Sequence, residues 1–133
     1  MKRAIALFAA FCLLWACSEK PADLPVIAVD FSWPEHQKCF DERSPEIRVD
    51  GVPESARRLQ IQMRDLDNRY DHGGGSVPWE GAATIPEGTL DKYRGPCPSY
   101  GSPRYQITVK ALDETGVAVA LGRKTRRYPP EAE

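Results

Sequence analysis

The chain has 133 residues, with 18 basic and 19 acidic side chains and a formal net charge of −1 at pH 7. This length suits one domain and is too short for two domains of ordinary size. Proteins that bind nucleic acids carry an excess of lysine and arginine, so the balanced charge gives no reason to expect nucleic acid as a partner.

Residues 1–16 have the composition of an export signal. Lys2 and Arg3 precede Ala4–Ala16, an almost wholly apolar run that ends in a small residue. A positive start, a short apolar region and a small residue before the cleavage point are typical of a signal peptide. The run is too short to span a bilayer comfortably. Its removal leaves 16 basic and 19 acidic side chains, so the mature chain is still more acidic than basic.

Cys17 directly follows that small residue, an arrangement that resembles the lipobox of bacterial lipoproteins. The resemblance implies lipidation of Cys17, and several acyl chains at about 0.8 kcal/mol per buried methylene would hold the protein on a membrane. Plain secretion with cleavage nearby is the alternative. Ser18 stands where an aspartate would indicate the inner membrane. We therefore expect a lipid-anchored protein of the bacterial cell envelope, at the periplasmic face of the outer membrane, with residues 17–25 as a tether.

Residues 26–128 show the pattern of an all-β domain. Hydrophobic residues alternate with polar ones, as Leu59, Ile61 and Met63 do between amide and charged side chains. A period of two indicates strands with one buried face and one wet face. The predicted strands are residues 26–33, 46–52, 58–66, 104–112 and 117–121.

No segment has a sustained helical period, so we expect at most one short helix or turn near Pro86–Leu90. Short strands separated by glycine and proline turns predict an antiparallel β-sandwich. The basic run Arg123–Arg127 is interpreted as a charged edge strand that resists pairing with other sheets, and contact with anionic lipid is the alternative. Residues 129–133 are predicted to form a disordered tail.

Two cysteines remain after Cys12 leaves with the signal and Cys17 is lipidated. Cys39 and Cys97 in an exported chain predict one disulfide. It would close a loop of roughly 60 residues, which is worth about 4 kcal/mol in the chain-entropy model. A metal site is the alternative, but two cysteines without suitably spaced histidines make a poor zinc site.

Two stretches have the composition of a binding site. In DHGGGS, residues 71–76, three glycines permit unusual backbone conformations, and their N–H groups can form an anion-binding nest. Taken alone, the stretch is more typical of a mobile hairpin loop. In YRGPCPSYGSPRY, residues 93–105, three prolines stiffen a long loop. That loop is interpreted as a pocket wall, or else as a rigid connection that covers the sheet.

Together with SPEIRVDGVPESARRLQIQMRDLD, residues 44–67, these stretches resemble the phosphatidylethanolamine-binding protein (PEBP) family in its bacterial YbhB/YbcL-like, Raf kinase inhibitor-like branch. The resemblance implies a β-sandwich with a small anion-accepting pocket at one end of a sheet. Pro103 stands where the family has a second histidine. Including the glycine nest, the predicted ligand-binding residues are Asp65, Asp67, His72, Gly73, Gly74, Pro96, Arg104 and Tyr105.

The resemblance implies a membrane-anchored binding module for a phosphate-like anion or a phospholipid head group, without a cofactor or metal. An envelope protein-interaction or inhibitor module with a vestigial pocket is the alternative. We do not expect an enzyme, because Ser76 lies outside any Gly-x-Ser-x-Gly elbow. A carboxylate close to His72 would favour its cation and strengthen anion binding.

Overall fold

The computed structural model describes residues 23–130. The predicted signal peptide, Cys17 and most of the predicted tether lie outside this range, as do residues 131–133. The regular structure within it consists of seven strands and no helix. The strands are β1 Ala28–Ser32, β2 Glu46–Asp50, β3 Arg58–Asp65, β4 Asp71–Pro78, β5 Thr84–Ile85, β6 Arg104–Leu112 and β7 Ala118–Arg127.

The strands form two antiparallel sheets, with the orders β1-β2-β5 and β4-β3-β6-β7. Alternate residues of β3 and β6 are buried, which confirms the period of two read from the sequence. Each fully buried aliphatic side chain contributes about 1.5–3 kcal/mol relative to its exposed state. One core cluster joins both sheets and includes Phe31, Ile47, Val49 and Ile85 from the smaller sheet and Leu59, Ile61, Met63, Ile107 and Val109 from the larger.

β1 closes one side of the core against β7. The Ile27 N–H donates to the Leu121 carbonyl oxygen at 3.0 Å. A Cβ on Gly122 would collide with the Ile27 carbonyl oxygen. The missing side chain of Gly122 therefore lets the two strands approach closely.

β7 is longer than the predicted strand 117–121 and includes the basic run. It is the last strand of its sheet, which confirms the edge-strand interpretation. Lys124 and Arg126 reach Asp30 of β1 at 3.6 and 2.7 Å. These ion pairs, and pairing with β6 as far as Arg127, allow the strand to continue through residues that the sequence pattern had separated from it.

The interpretation of residues 71–76 as a mobile loop is wrong, because they belong to β4. The strand pairs with β3 on one side. On its other side, Gly74 and Lys92 exchange backbone hydrogen bonds of 3.2 and 2.9 Å, and Arg94 N–H donates to the His72 carbonyl oxygen. Tertiary pairing on both sides overrides the low strand propensity of glycine.

Near residues 86–90 the chain forms a turn, with hydrogen bonds from the Thr89 N–H and hydroxyl to the Pro86 carbonyl oxygen. Within residues 23–130, no helix is long and apolar enough to cross a membrane. Cys39 and Cys97 form the predicted disulfide, with their Cα atoms 4.5 Å apart and a separation of 58 positions in sequence.

Candidate binding pocket

A pocket of about 580 Å³ lies at the end of the larger sheet where β3 ends and β6 begins. The turn after β3, the start of β4 and the proline-rich loop form its walls. Its lining comprises Phe40, Asp65, Asp67, Asn68, Tyr70, His72, residues 97–103, Tyr105 and Arg127.

A β-bulge turns His72 into the pocket wall. Gly75 pairs with Ile61, an inward residue of β3, so strict alternation along β4 would point His72 outward. The register with β3 shifts by one residue between these positions, and Gly73 at the shift has a φ of 72°. The extra residue reverses the alternation. His72 consequently faces inward and is only 3% exposed.

The His72 imidazole is held in one tautomer. Its Nδ1 lies 2.8 Å from the Arg94 carbonyl oxygen, and a carbonyl only accepts, so Nδ1 carries the hydrogen. Burial lowers the pKa of His72 and outweighs the opposing effects of the Arg94 carbonyl and the carboxylate of Asp65. The Asp65 carboxylate stabilises the cation as expected, but the cost of desolvating the charged ring is larger. The ring is therefore neutral at neutral pH.

Tyr105 forms the inner end of the pocket. Its ring centroid lies 5.3 Å from that of His72 in an edge-to-face arrangement, and Trp33 packs behind it at 5.7 Å. Burial, followed by the negative charge of Asp65, raises the pKa of Tyr105 to about 12, so the hydroxyl keeps its proton. Within residues 23–130 this hydroxyl has no protein hydrogen-bond partner. A ligand in the pocket can accept that bond.

Asp65 lies opposite Tyr105 in the register of β3 and β6. Its carboxylate accepts hydrogen bonds of 2.8 Å from the N–H groups of Asp67 and Asn68 and from the Asn68 side-chain amide. The buried charge is therefore used to hold the turn after β3. Its first role in this structure is to shape the wall, and three donors already satisfy it.

The Asp67 carboxylate forms an ion pair with Arg104. The carboxylate accepts from the Arg104 backbone N–H at 2.7 Å and from the guanidinium Nη2 at 2.7 Å. These bonds lower the pKa of Asp67, and the hydrogen bond to the carboxylate raises the pKa of Arg104. Arg104 is thus the partner of a pocket residue and does not line the pocket itself.

The structure brings together four of the eight predicted ligand-binding residues, namely Asp65, Asp67, His72 and Tyr105. Gly73 and Gly74 line a separate groove on the outer face of the sheet, so they form no nest in this pocket. Pro96 is fully buried behind the wall, where Cys97 and Pro98 form the surface. The bulge explains this division, because it sends His72 and the glycines to opposite faces.

The aromatic ring of Phe40, next to the disulfide, was not predicted from the sequence to line the pocket. Phe40 follows Cys39 and lines the pocket, with its ring centroid 6.4 Å from that of His72 and 6.1 Å from that of Tyr70. Phe40, Tyr70 and Tyr100 are 45%, 49% and 85% exposed. These three rings form an aromatic rim around the pocket. In the sequence, only the position of Phe40 next to Cys39 indicated that Phe40 would lie there.

Arg127 also lines the pocket, but the sequence was interpreted as placing it only in a charged edge strand and not in the site. Its partner across the sheet is Arg104, and its guanidinium donates to the Ser102 carbonyl oxygen at 2.7 Å. The formal charges of Asp65 and Asp67 are balanced by those of Arg104 and Arg127. The two carboxylates therefore leave the pocket region without a net negative charge.

No cluster of histidine, cysteine and carboxylate side chains suited to a metal ion is present in residues 23–130. No protein-family model matches the chain, and the search among curated proteins finds no match either. The likeness to the PEBP family therefore depends on the motifs quoted from the sequence.

Proposed function

We propose that this chain is a PEBP-like binding module with a Greek-key β-sandwich, anchored to the membrane through Cys17, whose pocket takes a phosphate-like group. The observation that carries the proposal is the meeting of His72 and Tyr105, with ring centroids 5.3 Å apart, in the wall of a pocket of about 580 Å³. That volume lies within the range of small-molecule sites.

The side chains of the pocket supply the bonds that a phosphate group needs. The Tyr105 hydroxyl is a neutral hydrogen-bond donor. His72 becomes a second donor, with a positive charge, when it takes up a proton. Because burial holds His72 neutral at neutral pH, binding of an anion is coupled to proton uptake at the ring. The proposal therefore requires binding to strengthen as the pH falls.

The rim adds a preference among phosphate-bearing ligands. Phe40 and Tyr70 present exposed aromatic rings at the mouth of the pocket, and aromatic faces attract an ammonium group. A head group with both a phosphate and an ammonium, such as phosphoethanolamine, satisfies both sides of the pocket.

The test is a titration of the labelled protein with inorganic phosphate, phosphoethanolamine and ethanolamine, followed by NMR at pH 5.5 and 7.5. We expect phosphate and phosphoethanolamine to shift the signals of His72, Tyr105 and residues 99–102 together, with tighter binding at pH 5.5. Tyr105→Phe removes one hydrogen bond, which corresponds to a loss of roughly five- to tenfold in affinity.

Tyr93→Phe is the matched control, because Tyr93 is equally buried but does not line the pocket. Its binding should equal that of the unaltered protein. Absence of shifts in the pocket at either pH, in a protein that is folded by the same spectra, would exclude the proposed ligand class.

A protein-interaction module is the second candidate, and the exposed aromatic rim favours it. Tyrosine and phenylalanine are enriched at the centres of protein interfaces. On this alternative, Tyr70→Ala and Tyr100→Ala would weaken a stoichiometric complex with an envelope protein, whereas Tyr105→Phe at the bottom of the pocket would leave it intact.

A further inference from the structure

The outer face of the larger sheet carries a second, differently built surface. The exposed residues of β3 are Arg58, Gln60, Gln62 and Arg64. Across the strands, Gln62 pairs with Thr108 of β6, which in turn pairs with Arg123 of β7. Positive and hydrogen-bonding side chains therefore alternate over this face, on the opposite side of the sheet from the core.

A groove of about 490 Å³ crosses this face beside β4. Gly73–Gly75 contribute no side chains to it, which leaves a depression between the side chains of β3 and β6 and the Asp91–Lys92 segment. Gln60, Thr108 and Lys110 border the depression. The glycine triplet thus shapes this groove, although the pocket on the other face was its predicted place.

In the described part of the chain, several cations on this face and around the groove make no ion pair, although Arg64 lies across from Asp71 in the register of β3 and β4. The groove holds two carboxylates. Asp71 accepts hydrogen bonds from the Gln62 amide and the Gly73 N–H, both at 2.8 Å, whereas Asp91 is left to accept from hydroxyl groups of a ligand. Other basic residues do pair with acidic ones, as Arg48 does with Glu46 and Arg94 with Glu42. Within residues 23–130, no ion pair is made by the face or groove residues Arg58, Arg64, Lys92, Lys110 and Arg123.

The chemistry of the face distinguishes among anionic partners. No aromatic side chain lines the groove, so it offers nothing on which nucleic-acid bases stack. None of the exposed large hydrophobic side chains of residues 23–130 lines the groove, so it offers no apolar wedge of the kind that inserts into a bilayer surface. Glutamine amides and a threonine hydroxyl both donate and accept, as the hydroxyl groups of a sugar require.

We propose that the outer face of the larger sheet binds an acidic saccharide chain, with the sugar in the glycine-floored groove and its acidic groups on the surrounding cations. Gln60 and Thr108 contact the hydroxyl groups. Arg64, Lys110 and Arg123 contact the carboxylate, sulfate or phosphate groups. The groove and the His72 pocket have no lining residue in common, so substitutions can test the two sites separately.

The probes are polygalacturonate, dextran sulfate and unsubstituted dextran, titrated into the full chain at low and physiological salt. The charge variant is Arg64→Gln, Lys110→Gln and Arg123→Gln together. Its matched control removes three cations elsewhere, by Lys38→Gln, Arg43→Gln and Arg48→Gln, so both variants have the same net charge. Thermal unfolding verifies that each variant is folded.

We expect both acidic saccharides to bind more tightly than dextran, with affinity falling as salt rises. The charge variant should lose roughly tenfold or more, and the control should stay within about twofold, because only the first removes contacts to the ligand. Gln60→Ala with Thr108→Ala should weaken polygalacturonate binding several-fold.

Equal losses in the charge variant and its control would overturn the site. Equal binding to polyacrylate or to phosphatidylglycerol vesicles would overturn the saccharide, because those probes offer charge without sugar hydroxyl groups.

Discussion

At the scale of the residue, His72 shows burial and charge in opposition. Asp65 and the Arg94 carbonyl favour the imidazolium, but desolvation is the larger effect and lowers the pKa. The sequence indicated a carboxylate near the histidine. It gave no measure of burial, which depends on the bulge at Gly73 and on rings contributed by distant segments.

The lowered pKa predicts a loss of stability on mild acidification. The unfolded imidazole titrates at about 6.5, above folded His72, so the unfolded state binds its proton first. The free energy of unfolding is therefore highest above about pH 6.5 and falls as the pH drops through the lower pKa of the folded state. Urea unfolding at pH 7.5 and 5.5 measures this difference.

His72→Gln should reduce that pH dependence, and His36→Asn should retain it because His36 is exposed. An NMR titration of the His72 ring supplies a direct check. A pKa at or above 6.5 in the folded protein would contradict the dominance of burial.

At the scale of the element, the β-bulge in β4 decides which residues face the pocket. Gly73 occupies it with a φ of 72°, and a Cβ there would collide with the Lys92 carbonyl oxygen. The same glycine therefore allows the shift in register and the close approach of the segment that covers the edge of β4. Its two structural roles predict that it tolerates no side chain.

Gly73→Ala should lower the free energy of unfolding by about 2–4 kcal/mol, through the unfavourable φ and the collision with backbone. Gly116→Ala is the control, because Gly116 has a φ of 84° but open space around its Cα. We expect it to cost only about 1 kcal/mol, the conformational part. Urea unfolding of both variants separates the two contributions, and equal costs would contradict the steric one.

At the scale of the whole molecule, the disulfide connects parts of the chain that no strand pairing joins. Cys39 lies in the loop between β1 and β2, and Cys97 lies in the proline-rich wall. The bond holds Phe40 against the rings of Tyr70 and His72. It therefore constrains the unfolded chain and assembles one side of the pocket.

Replacing both cysteines by serine should lower the free energy of unfolding by about 4 kcal/mol, because the cross-link closes a loop of 58 positions. Urea unfolding of the variant, compared with the oxidised and the chemically reduced protein, measures the effect. The reduced protein and the variant should unfold alike. A change below about 1 kcal/mol would contradict the chain-entropy argument.

The sequence by itself determined the all-β class, five of the strands and the pairing of the two cysteines. Alternation such as that of Leu59, Ile61 and Met63 is a local property, because successive side chains of a strand point to opposite faces. The motifs predicted that residues 71–76 and the proline-rich loop form one pocket. The structure places His72 there together with Asp67 and Tyr105, but the three glycines line the other groove.

Only the tertiary structure decided which face each site residue occupies. A one-residue shift in register reverses every side chain beyond it, and the sequence of β4, with three glycines, has no hydrophobic pattern that reveals the shift. Pairing with β3 and with the segment around Lys92 sets that register. It turns His72 into the pocket and leaves Gly73–Gly75 along the groove of the outer face, so residues that the sequence had joined into one site lie in two.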